Sequence, residues 1–303
     1  MTQPLIACVG HCAIDHVFHI DQFPDHATKT PARSFDSVGG GMAANAALAC
    51  ARLGARVRFV GATGDDDAGR LVRRQLTAEG IDLTHLQCLT QAHTSVSAII
   101  VDERGERHIF NHLGNALALA AIPGDAVFDG CDAVLVDPRW PAGAHAALQW
   151  ANRHDRLSVL DADVAPRQDL DTLVACALWV VFSEPGLAVW GPGLAREAAL
   201  RRSLAHGARQ VAVTLGDKGV EVLLNGSLMV LPAPAIQAVD TTGAGDVFHG
   251  AFTLALARGS AAPDALMYAA AAAALKCTRS GGVRGAPTQQ ELDVFLLAQI
   301  EGA

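Results

Sequence analysis

Positive charge is scarce in this sequence. Lys and Arg together number 23 against 31 Asp and Glu, giving a net charge of -8 at pH 7. Such a balance argues against nucleic acid or an anionic membrane as the main partner, though a local basic pocket for a small anion remains open. Long apolar runs are missing too. The longest, Ala265 to Leu275, is too short and too Ala-rich to span a bilayer. Met1-Thr2-Gln3-Pro4 lacks the basic start of a signal peptide. No two of the seven cysteines form Cys-x-x-Cys, and an odd, unpatterned set reads as reduced, mostly buried thiols of a cytoplasmic protein. Tyrosine occurs once. No Pro/Ser-rich linker and no internal repeat divides the 303 residues, so they are read as a single domain, 1–303.

What is present centres on Asp240-Thr241-Thr242-Gly243-Ala244-Gly245-Asp246. The preceding stretch, Leu231 to Val239, is expected to be extended and strand-like. In the following stretch Phe248, Ala251, Phe252 and Ala255 fall at helical spacing, so the motif sits where a loop turns into a helix. Gly243 and Gly245 allow a tight turn and leave no side chain over the first-turn amides. Those amides lack intrahelical partners and lie at the positive end of the dipole, which suits a phosphate. A carboxylate directly after them, Asp246, makes sense if it takes a proton from an attacking hydroxyl.

Upstream, Pro4 to Gly10 reads as a buried strand, and Ala13 to Ile20 alternates, placing Asp15 close to a strand end where open α/β sheets hold ligands. Gly39-Gly40-Gly41 precedes a helix expected over Ala46 to Leu53, with Gly54 as its C-terminal cap. Asp65-Asp66-Asp67 reads as helix-start charge at the next helix, around Arg70 to Glu79. Thr94 to Val101 and Glu106 to His112 form a hairpin around Asp102-Glu103-Arg104-Gly105. With strands near 13–20 and 29–36 it suggests a small sheet apart from the main one. Along its second strand Arg107, Ile109 and Asn111 share one face and His108, Phe110 and His112 the other; no third ligand gives those histidines metal spacing. From Ala133 onward strands alternate with helices, which implies parallel strands in a doubly wound sheet. Trp140, Trp150, Trp179 and Trp190 read as packing residues. Thr214 to Gly219 is a tight loop after a strand, in which Lys218 either touches phosphate or is solvated.

Asp-Thr-x-Gly-Ala-Gly-Asp before an apolar helix resembles the signature of the ribokinase-like (PfkB) carbohydrate kinases, and Gly40-Gly41 with Asn45 resembles that family's earlier Gly-Gly-x-x-x-Asn motif. The resemblance covers nearly the whole chain. It implies an α/β fold: a doubly wound, mainly parallel sheet flanked by helices, with a β-sheet lid built from segments 13–36 and 94–112 that often pairs subunits into a homodimer. It also implies ATP and Mg2+, with Asp246 as catalytic base and Gly243, Ala244 and Gly245 as the anion hole. Asp15, Gly40, Gly41 and Asn45 are then sugar contacts, while Thr214, Gly216, Lys218 and Gly219 face the nucleotide phosphates and ribose. Ala274 and Cys277 line the adenine pocket, and Asp240 with Thr242 holds a monovalent cation such as K+. One departure stands out. Many members carry Asn-x-x-Glu after a central strand to organise magnesium, and this chain has Ser183-Glu184-Pro185-Gly186. Either Glu184 serves from another angle or the metal relies more on the phosphates.

Within the family, Val38 to Gly41, Gly64 to Asp67, Phe182 to Ala188 and Ala274 to Arg279 resemble the bacterial 6-deoxy-6-sulfofructose kinases. Lys29, Asn111 and Arg139 match the positions that hold the sulfonate in that branch. Fructose, ribose, 2-keto-3-deoxygluconate or a phosphosugar are the alternatives on the same scaffold. A nucleoside kinase fits less well with a single Tyr, and a sugar sensor without turnover fits less well with an intact Asp246.

Overall fold

The computed structural model describes residues 3–301; Met1 and Thr2, part of the stretch read for a signal sequence, lie outside them. The described strands are β1 (Leu5–Val9), β2 (Ala13–His19), β3 (Ser34–Gly40), β4 (Arg56–Gly64), β5 (Leu86–Leu89), β6 (Ser95–Val101), β7 (Arg107–His112), β8 (Ala133–Val136), β9 (Leu157–Ala162), β10 (Trp179–Ser183), β11 (Gln210–Thr214), β12 (Val220–Leu224) and β13 (Ser227–Leu231). Nine of them form one sheet in the order β13-β12-β11-β10-β9-β8-β1-β4-β5. Pairing is parallel from β11 through β5, and β12 and β13 close the far edge antiparallel. The central strands are short unbroken apolar runs such as Ala133-Val134-Leu135-Val136, as expected when both faces are covered. Alternate residues of β1 enter different cores: Ile6 and Cys8 face one, Leu5, Ala7 and Val9 the other. The four tryptophans are buried in these cores, and five of the seven cysteines are buried as free thiols.

The chain winds outward from β1 in both directions, first to β4 and β5, then back to β8 and on to β13. Strand order therefore reverses between β1 and β8, and the crevice beyond their C-terminal ends is where such sheets bind ligands. The second sheet, in the order β3-β2-β6-β7, stands over that crevice; β2 and β6 run parallel, and β2–β3 and β6–β7 are antiparallel.

Several expectations shift. The strand placed near 29–36 lies at Ser34–Gly40, after Pro31, so Gly39 and Gly40 end a strand instead of forming a loop. Only Gly41 turns, at φ 93°, and the helix begins at Met42, four residues earlier than read. Residues 232–239 have no ladder partner, because β13 stops at Leu231. Asp66 caps the next helix, accepting from Gly69 N at 2.8 Å and Thr94 N at 2.9 Å, as helix-start charge should.

The helices Met42–Arg52 and Ala244–Ala257 pack tightly enough to bring their N-termini together. Their contact is lined by small residues, among them Ala46, Ala49, Gly250 and Ala251. A Cβ at Gly250 would lie 2.6 Å from Ala46 O and 3.1 Å from Ala49 Cβ. Gly250→Ala should therefore destabilise by about 1–3 kcal/mol through overpacking, even though Ala gains roughly 1 kcal/mol in helix propensity. Urea unfolding would read this as a lower midpoint at unchanged slope; a midpoint at or above wild type would mean the helices separate freely.

Candidate active site

Gly243 adopts the left-handed region at φ 76° and caps the helix Ala244–Ala257. The turn directs the Ala244 N–H to Thr241 O at 3.2 Å, so one of the three expected anion-hole amides already has a partner. A Cβ on Gly245 would meet nothing within 4 Å, so open space lies over that first turn. Asp246 is next. Its Oδ2 accepts from Asn45 Nδ2 at 2.6 Å, a bond between two residues 201 positions apart. Burial pushes the Asp246 carboxyl up to about 8, with the nearby Asp161 charge adding to the effect and Asn45 and His249 opposing it. Asp161 is itself driven up by burial and by Asp163 and Asp137. His249 sits beneath them, with Nδ1 2.7 Å from Gly245 O and 3.4 Å from Asp161 Oδ2, and Nε2 3.2 Å from Val181 O. Its burial outweighs those partners and lowers its pKa.

The crevice between β1 and β8 holds a second carboxylate anchor. Asp137, 1% exposed, accepts from the backbone N–H groups of His11 (2.8 Å), Ala43 (3.0 Å) and Arg139 (2.8 Å). It thereby ties β1, the first glycine-led helix and the β8 exit together. Gly10 is needed for this, since a Cβ there would sit 2.4 Å from the Asp137 carboxylate. Asp15 lies against Gly40, where a Cβ would come within 2.4 Å of its Oδ2, and burial raises its pKa despite Ser97. Arg139 is exposed, and among the described residues its guanidinium has no ion-pair partner. Its backbone N–H donates to Asp137, so the residue stands at the β8 exit beside the crevice. Asn111 Nδ2 is 3.0 Å from Ser97 Oγ on the lid face that carries Asp15. Lys29 lies in the exposed loop between β2 and β3, with no polar contact to Asn111 or Arg139 among the described residues. Asn111 thus lies on the lid face that carries Asp15, Arg139 lies at the crevice's edge, and Lys29 is not brought to them.

On the other side of Gly243–Gly245 lies a cleft of about 450 Å³ lined by Thr214, Gly216, Gly219, Phe248, Ala274 and Cys277. Lys218 does not line it. Glu184 is turned toward Arg196, at 3.3 Å, and Arg196 also binds Glu221. Among the described residues no three His, Cys, Asp or Glu side chains are grouped to hold a metal ion. The donor set therefore fits a magnesium carried mainly by phosphates and water, not an all-protein cage. The lid reaches this loop as well: Arg107 donates from Nη1 to Thr242 Oγ1 (2.8 Å) and from Nη2 to Thr241 Oγ1 (3.0 Å).

Asp137, Asp161 and His249 carry no role in the sequence reading, and Arg107 appears there only as a strand-face residue. Asp137 had a usable signal, since it directly follows a buried apolar strand. The other three gain their positions only from the fold.

A model of the pfkB family of carbohydrate kinases matches residues 3–289, and the chain belongs to that family. It is 31% identical over 301 residues to a ribokinase of Haemophilus influenzae, covering 96% of this chain and 98% of that one. It is 30% identical over 298 residues to an ATP-dependent ribose-1-phosphate kinase of Halopiger xanaduensis, covering 96% and 97%. The structure of an Arabidopsis thaliana ribokinase complexed with ribose and ATP superposes with a TM-score of 0.86 at 25% identity, over 98% of this chain and 99% of that one. The 9-stranded sheet with its separate 4-stranded lid is thus the ribokinase-type fold.

Proposed function

We propose that this protein transfers the γ-phosphoryl group of ATP to a hydroxyl of a small ketose that carries an anionic group at its far end. The substrate is 6-deoxy-6-sulfofructose and the product its 1-phosphate. The observation that carries the kinase reading is the placement of Asp246, half-buried on the open first turn that separates the nucleotide-sized cleft from the lid-covered crevice. Asp246 accepts the hydroxyl proton while Asn45 fixes its carboxylate. The amides around Gly243–Gly245 stabilise charge on the transferred group. Magnesium, when bound with ATP, neutralises the β- and γ-phosphates. Asp15 and Gly40 hold sugar hydroxyls, and Arg139 and Asn111 read the anionic end, where a guanidinium can grip an oxyanion with two parallel bonds. A second reading is favoured by the relatives: an uncharged pentose such as ribose.

The outer lid face carries Phe18, Phe35 and Phe110, with Phe35 53% and Phe110 66% exposed, and the Phe18 and Phe35 rings 4.8 Å apart. An exposed aromatic face of this kind suits a homodimer joined lid to lid.

Four outcomes are expected. Asp246→Asn should keep the fold and ATP binding while phosphoryl transfer falls by about 10²–10⁴-fold. Because a protonated Asp246 cannot accept the hydroxyl proton, wild-type kcat/KM should rise with pH and level off above about 8. Near-normal turnover in the variant, or a flat profile below that pH, removes Asp246 from the reaction. Kinetics on sulfofructose, fructose 6-phosphate, fructose and ribose should favour the anionic sugars, and Arg139→Ala should raise their KM by about tenfold or more; ribose matching them, or an unchanged KM, supports the uncharged sugar. Light scattering at micromolar concentration should give a dimer that Phe110→Asp converts to monomer, and a wild-type monomer would exclude lid pairing.

A further inference from the structure

Helix Ala262–Cys277 is built almost wholly of Ala, Leu and other apolar residues, yet it carries one fully buried lysine near its end, Lys276. Its Nζ donates to the backbone oxygen of Asp240 at 2.6 Å and lies 3.7 Å from Asp240 Oδ2. The rest of Asp240 is occupied as well. Oδ1 accepts from Thr242 N at 2.9 Å, and Oδ2 accepts from Gly282 N at 2.8 Å. The adjacent carbonyl of Cys277 takes two backbone donors, Val239 N at 2.7 Å and Asp240 N at 3.1 Å. The Thr242 hydroxyl is held by Arg107. Burial works against ionising Asp240, but the two backbone donors and the Lys276 ammonium outweigh it and keep the carboxyl below its ordinary range.

A monovalent cation at Asp240 and Thr242 would need these same oxygens. Carboxylate and carbonyl oxygens are the right donors for a hard cation, but here they already face protein N–H groups and an ammonium. An added ion would also stand beside two positive charges, the buried Lys276 and the lid's Arg107. The residues do not fit the ion.

We propose that Lys276 supplies the positive charge that a monovalent cation would otherwise bring, so that the protein's anion-hole loop is set without K+. This rests on the kinase reading above only for its activity arm. Lys276 is a positioning residue: it touches Asp240, and Asp240 fixes the turn that leads through Thr242 into Gly243. An ammonium suits the task because it presents several donors from a single charged centre of a size close to that of a potassium ion. Its four-carbon stem lies in the apolar core, where a hydrated ion could not be anchored.

The experiment compares wild type and Lys276→Ala in a buffer whose only monovalent cation is tetramethylammonium, with KCl added from 0 to about 100 mM and tetramethylammonium chloride as the ionic-strength control. Wild type should change less than about twofold in kcat and show no K+-specific shift in thermal unfolding. Lys276→Ala, which leaves space at Asp240, should lose activity without K+ and recover about tenfold or more with it, and K+ should raise its unfolding temperature. Wild-type activation by K+ of about tenfold, or a K+-specific rise in its unfolding temperature, overturns the proposal. So does a folded Lys276→Ala indifferent to K+ in both measurements. Should Lys276→Ala fail to fold, the wild-type titration still decides. If no sugar is phosphorylated in any salt, the kinase reading fails, and the unfolding measurement continues to report on the cation.

Discussion

The close packing of two helices sets the geometry on which everything else depends. Met42–Arg52 and Ala244–Ala257 come from opposite ends of the chain, and small side chains let their backbones approach until Cys50 Sγ reaches Gly250 O at 3.2 Å. Each helix begins at a glycine with positive φ, Gly41 and Gly243. Bringing the pair together therefore places two positive dipole ends and two open backbone turns around one point. Asn45 and Asp246, one on the first turn of each helix, meet there. A larger residue in the seam would move the two turns apart and separate the sugar side from the phosphate side.

That convergence comes with an electrostatic cost. Asp137, Asp161, Asp163 and Asp246 all lie around the crevice, and desolvation raises the pKa of Asp161 and Asp246. The structure treats them differently. Asp137 is satisfied by three backbone N–H groups and serves as a fixed anchor. Asp246 has one short bond from Asn45 and a repelling neighbour, and its basicity rises accordingly. One acidic residue type thus yields a structural clamp and a strong base, depending on how many donors each is given.

Much of this was legible in the sequence because it is local. The 240–246 motif, the alternating hairpin 95–112, the apolar strands from β8 onward and the Asp66 cap all declare themselves within short stretches of chain. What was not legible depends on distance in the chain. Gly39 and Gly40 read as loop, yet β2 supplies partners that extend the strand through them. Residues 232–239 read as strand, yet no neighbour offers them a ladder. Asn45 reads as a sugar contact, and its further link to Asp246, 201 residues away, has no local signal. Arg107 was placed on the correct face, but its reach to Thr241 and Thr242 depends on the lid standing over a loop 134 residues further on. Lys218, attractive in a glycine-rich loop, lies outside the cleft that Gly216 and Gly219 line.

The main sheet reverses its winding between β1 and β8, and this divides labour along the chain. The lid and most of the crevice wall draw on residues 10–139, with Asp161 added from β9, whereas the nucleotide-sized cleft draws on residues 214–277. The two halves meet along the seam of those helices, through Asn45 with Asp246, and through Arg107 with the 241–242 hydroxyls. Such an arrangement lets inheritance treat the two halves separately. The first half can drift toward a new acceptor while the second is held to a constant donor, provided the small seam residues and those few bridges are kept. A recombination junction in the stretch between β8 and β9 would exchange one acceptor pocket for another without disturbing the machinery that delivers the phosphate.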